Sequence, residues 1–145
     1  MSIYHQYHET ENLMSFLLIV HSYLRWLIVI VALFAILKFA WSWLRGGTFQ
    51  RLDRGLASGF SGIMDLQAML GLIFLVWNGV AGAGFPMFRI EHAVTMVVAA
   101  AVAHLPARWK NTADKLRFRN LFFVILGTLA IIFIGVARLP GGWGR

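Results

Sequence analysis

His21 and Arg25 are four residues apart, so a helix would carry them on one face. A second group, Arg89, Glu91, His92 and Met96, lies some seventy residues further on. Two imidazoles from separate segments can take opposite axial positions on the iron of a b-type haem. Arg25 and Arg89 would then meet the propionates. Met96, about one turn beyond His92, and the alanines after it would line the ring edge. The same residues allow a plainer arrangement, in which an Arg25–Glu91 ion pair and flanking histidines fix the packing. They also allow a quinone head-group site or a proton relay. Asp65, Gln67 and His104 form a third group, suited to an inner polar pocket for a quinone head group or a short proton path. By depth, His104 and Lys38 are the candidate partners of Asp65. A second haem at His104 would need a ligand such as Met64 or Met69, and methionine is a common apolar filler. His5 and His8 precede the apolar sequence and read as solvent-exposed.

The elements that must position these residues are set by hydropathy. Four apolar stretches run from Leu13 to Trp43, Phe60 to Val80, Ile90 to Pro106 and Leu121 to Val136. A bilayer core about 30 Å thick needs about 20 apolar residues in helix. The expected fold is therefore all-α: four transmembrane helices at approximately 13–43, 60–80, 90–106 and 120–138, packed up-down-up-down as a single integral membrane domain over 1–145. Helix 1 exceeds a straight span, so tilt or an interfacial start is expected. Small residues such as Gly71, Ala99, Ala103, Gly127 and Gly135 allow close helix approach. The alanine face of helix 3 could serve packing or leave room for a flat cofactor.

Hydrophobic residues make up 59% of the 145, too many for an ordinary soluble domain. The formal charge of +7 is carried by loops. Basic loops in such a chain report orientation and contact with anionic lipid, not nucleic acid. Arg45, Arg51 and Arg54 follow helix 1, and Arg108, Lys110, Lys115, Arg117 and Arg119 follow helix 3. The positive-inside rule puts both loops in the cytoplasm and both termini outside. Trp41, Trp43 and Trp109 suit an inner aromatic belt, and Trp77 and Trp143 an outer one. Pro106 is expected to stop helix 3 and Asn78 to cap helix 2. The absence of cysteine excludes thiol catalysis, iron–sulfur ligation and covalent haem attachment. The acidic N-terminal residues do not read as a cleavable signal peptide. No catalytic residue is assigned.

The segments His21-Ser22-Tyr23-Leu24-Arg25-Trp26, Leu66-Gln67 with Leu70-Gly71, Glu91-His92 and Lys115-Leu116-Arg117-Phe118 resemble a group of small four-helix bacterial membrane proteins. These are often labelled cytochrome b-like, without an established function. The resemblance spans nearly the whole chain and implies a multi-pass protein of the bacterial inner membrane. Many members have histidine where this chain has Asp65, a departure that weakens any haem scheme at the inner end of helix 2 and leaves the His21–His92 scheme untouched. Taken together, the expected function is that of a small subunit of a respiratory or photosynthetic, quinone-linked electron-transfer complex. It would carry one haem b between His21 and His92 near the outer face, with other membrane subunits as partners. The alternative is a cofactor-free accessory subunit that stabilises a larger membrane complex.

Overall fold

The computed structural model describes residues 2–144, with side chains from Glu11 onward. The expectation about His5 and His8 lies outside the described side chains. The described residues form helices and no strands. Helix α1 runs Ser2–Arg45, α2 Arg51–Asn78, α3 Met87–Ala103 and α4 Asp114–Ala137. Each is part of a segment long and apolar enough to cross a membrane. Helix α1 packs on α2 and α4, and α3 packs on the same two, so the four close a ring.

The helices are longer than their apolar stretches. The 44 residues of α1 span about 66 Å at 1.5 Å per residue, about twice a bilayer core. Helix α2 begins at Arg51, not near Phe60, because its polar first turns have a local start signal. The Asp53 carboxylate accepts the Gln50 backbone N–H at 2.8 Å, satisfying a donor ahead of the first turn. At its other end α2 does not stop at Asn78. One wide turn, Gly79–Ala83, carries it on to Gly82, whose φ of 114° only glycine adopts without strain. Helix α3 stops at Ala103, and Pro106 lies in the following 3₁₀ turn, Leu105–Trp109.

Small and large residues alternate across the core. Ile28, Ala32, Ala35 and Phe39, spaced four, three and four residues apart, put one face of α1 inside. Ala99, Ala100 and Ala103 of α3 meet them with almost no exposed surface. These alanines therefore serve helix packing, and of the α3 alanines only Ala93 lines the cavity that His21 and His92 share. Phe118 packs between Phe39 and Phe49, at ring-centroid distances of 6.0 and 5.3 Å. Outside, Phe16, Ile30, Phe34, Leu37, Val94 and Phe133 are exposed, giving a largely apolar exterior. A monomer in water rarely exposes contiguous apolar surface on that scale, whereas a lipid-facing helix requires it.

Polar contacts between the helices help pin the ring. Lys38 of α1 pairs with Asp53 of α2, which is buried. Ser61 of α2 donates to the Ala103 carbonyl of α3 at 2.7 Å. His92 of α3 donates from Nδ1 to the Gly135 carbonyl of α4 at 3.0 Å. Each is an interhelical bond of the kind that holds helices together where the hydrophobic effect is weak.

Candidate functional site

His21, Arg25, Gln67, Arg89, His92 and Met96 line one cavity of about 450 Å³. Ligand sites commonly occupy roughly 300–1,000 Å³. All four helices contribute: α1 gives His21 and Arg25, α2 Gln67 and Gly71, α3 Arg89, His92 and Met96, and α4 Ile132 and Val136. Leu139, Pro140 and Gly142, beyond α4, complete the wall.

The two histidines are held differently. Donation from His92 Nδ1 to the Gly135 carbonyl sets the tautomer, leaving Nε2 as the nitrogen with a lone pair. That is the usual second contact of a metal-ligating imidazole. Glycine at 135 permits the approach: a Cβ there would come within 2.5 Å of Met96 Cε and 2.9 Å of Thr95 Cγ2. His21 is gripped by Gln67, whose Nε2 lies 3.0 Å from the His21 carbonyl and 3.2 Å from His21 Nε2. Its ring edge lies against Gly71, where a Cβ would sit 3.1 Å from His21 Cε1. His21 Nδ1 and Gln67 Oε1 are buried with no hydrogen-bond partner. A buried polar atom left unsatisfied costs about 1–3 kcal/mol.

Two cations line the same cavity. Arg89 donates to Asn78 Oδ1, and Asn78 Nδ2 lies 3.8 Å from Met14 Sδ. Asn78 thus holds Arg89 and does not cap α2. The Arg25 guanidinium lies between two indoles, 5.6 Å from Trp26 and 5.5 Å from Trp143. Trp143 also packs on Trp26 and stacks on Phe133, with centroids 5.8 and 5.6 Å apart. The residues after α4 therefore fold back over the cavity mouth, where a simple interface anchor was expected at Trp143. Glu91 is exposed and makes no ion pair with Arg25 among the described residues. Helix α3 turns it outward while His92 faces in.

The inner group separates. Asp65 and His104 meet, with His104 Nε2 2.9 Å from both carboxylate oxygens, and both side chains are about half exposed. Gln67 does not join them. Residues two apart on a helix do not share a face, so α2 sends Asp65 toward α3 and Gln67 toward His21. Lys38 is taken by Asp53 and is not a partner for Asp65. Met64 is buried in the wall of the His21–His92 cavity, and Met69 is exposed. Sequence reasoning missed the contact of Gln67 with His21, although the i, i+2 spacing from Asp65 was a signal that the two part. It also missed the returning segment around Trp143, for which no local signal exists.

The donor chemistry of the His21–His92 cavity fits a b-type haem. Two imidazoles come from different helices, one already oriented through its far nitrogen, and two guanidinium groups lie on the same cavity wall. No cluster of three or more metal-ligating side chains occurs among the described residues, and an axially ligated haem needs only two. No protein-family model, curated protein or solved structure matches the chain.

Proposed function

We propose that this protein is a small multi-pass membrane subunit associated with a quinone-linked electron-transfer complex, and that its outer cavity holds one haem b between His21 and His92. The observation that carries this reading is the cavity's incomplete wall. Two different helices each bring an imidazole to it: His92, whose Nδ1 is spent on the Gly135 carbonyl, and His21, whose buried Nδ1 meets no group of the chain. Unsatisfied buried polar atoms call for a partner. When bound, the haem would supply one-electron transfer.

The chain's own residues would bind and orient. His92 presents Nε2 and keeps its proton on Nδ1. Gln67 fixes the His21 backbone and ring. Arg25 and Arg89 supply positive charge for propionates, and Met96 closes the wall. Trp143 and Pro140 exclude water at the mouth. The proposed topology is up-down-up-down with both termini outside the bacterial inner membrane. Two contacts support antiparallel α1 and α2: early His21 meets late Gln67, and late Lys38 meets early Asp53. The basic loops support the orientation.

A second reading is a cofactor-free accessory subunit. It is favoured by the Gln67 amide already lying on His21 Nε2. The deciding measurement is a dithionite-reduced minus oxidised spectrum of the purified, detergent-solubilised chain from haem-supplemented cells. His21→Ala and His92→Ala are run beside it. A sharp α-band abolished by both substitutions is expected. A flat spectrum from folded protein would leave the accessory-subunit reading, and co-purification would then seek the complex.

A further inference from the structure

At the opposite end of the bundle a second cavity, about 540 Å³, lies between α2, the 3₁₀ turn and α4. Three cations from three segments converge on it: Arg54 from the first turn of α2, Lys110 from the loop, and Arg117 from the first turn of α4. Arg117 is held in place. Its guanidinium carbon lies 3.5 Å from the Phe49 ring centroid, and Nη1 is 3.4 Å from the Lys110 carbonyl. Asp65 is the acid in the wall, and His104 engages both of its oxygens. Asp53, nearby on α2, is taken by Lys38. Among the described residues no ion pair closes on Arg54, Lys110 or Arg117, although the Asp114 and Asp53 carboxylates act on Arg117 at longer range.

Three like charges around one concavity raise its affinity for an anion. Arginine's planar fork matches phosphate oxygens in pairs, and lysine adds a point charge. Ser58 and Asn111 supply further hydrogen-bonding groups on the wall. The cavity sits where helices end, at the level of the head groups for a chain spanning a bilayer, and Ala57, Pro106 and Leu121 make part of its wall apolar. Basic pockets between transmembrane helices suit anionic head groups. We propose that this cavity is a binding site for a phosphate group, and that the group is presented by an anionic phospholipid. The site is independent of what the outer cavity holds.

The test uses the full chain in neutral detergent, with phosphatidylglycerol, phosphatidylcholine or inorganic phosphate added separately. Native mass spectrometry reads retained lipid, and the thermal unfolding midpoint reads phosphate and lipid alike. Two double variants are compared: Arg54→Gln with Lys110→Gln, and Arg108→Gln with Arg119→Gln. The second removes the same charge from the same end of the molecule but from outside the cavity wall. All four side chains are exposed, so folding is preserved. Phosphatidylglycerol is expected to be retained and stabilising, and phosphatidylcholine not. With each charge-assisted hydrogen bond to phosphate worth about 1.5 kcal/mol, the cavity pair weakens retention roughly a hundred-fold. The control pair leaves it nearly unchanged. Inorganic phosphate protecting as well as the lipid would overturn the lipid source and uphold the phosphate chemistry. Equal weakening by both pairs, or no preference for phosphatidylglycerol, would overturn the site.

Discussion

Lys38 and Asp53 form an ion pair whose two members are unequally buried, which makes the cost of breaking it depend on which is removed. The Asp53 side chain is 2% exposed and that of Lys38 25%. Removing one partner of a fully buried pair costs about 3–5 kcal/mol, because the other charge is stranded. An exposed pair is worth only about 0–1 kcal/mol. Lys38→Met leaves the Asp53 carboxylate buried, with the Gln50 N–H at 2.8 Å as its hydrogen-bond partner and the Arg117 charge acting only at longer range. That variant should lose about 3 kcal/mol. Asp53→Asn leaves an ammonium that can extend along its own stem to water, and the new amide oxygen can still accept from Gln50. It should lose only about 1 kcal/mol. The double variant strands nothing and should also lose about 1 kcal/mol, giving a coupling of about 3 kcal/mol between the sites. Reversible unfolding in mixed micelles, followed by tryptophan fluorescence, measures all three. Asp53→Asn costing as much as Lys38→Met, or simple additivity of the two, would refute the burial argument.

Three further outcomes follow from the packing. Gly135→Ala should destabilise by about 1–3 kcal/mol through overpacking against Thr95 and Met96. Gly127→Ala, which meets open space, should be neutral or stabilising in the same unfolding assay. Ser61→Ala removes the buried 2.7 Å bond to the Ala103 carbonyl and should cost about 1 kcal/mol, whereas exposed Ser58→Ala should be silent. Because the chain has no cysteine, single-cysteine variants report topology cleanly. A membrane-impermeant maleimide applied to intact spheroplasts should label Asn12→Cys, and label Thr48→Cys and Ala113→Cys only after permeabilisation. Labelling of all three from outside would rule out the proposed orientation.

Much of the architecture was legible in the chain because length and hydropathy act locally. A run of about 20 apolar residues specifies a helix of membrane-spanning length whatever it packs against. Depth was also readable. The 1.5 Å rise per residue puts His21 and His92 within reach of one level and His104 at the other end. Helix limits were less legible, since the polar first turns of α2 and α4 continue the helix beyond the apolar run. The Asp53 carboxylate, which starts α2, is a local signal that hydropathy ignores.

Rotation about each helix axis, and the path of the chain after α4, belong to the tertiary structure. Lys38 could have met Asp65 or Asp53 by depth, and the packing of α1 on α2 chose Asp53. Glu91 and His92 are neighbours in sequence, yet packing against Gly135 turns one inward and leaves the other exposed. Trp143 meets Trp26 across more than a hundred residues because the segment after α4 folds back on the ring. The sequence by itself determined four apolar helices and the ends at which their polar residues lie, since both depend on composition and helical rise. Which of those residues share a cavity was decided by interhelical packing, because the energy that selects a helix face comes from its neighbours and not from the helix.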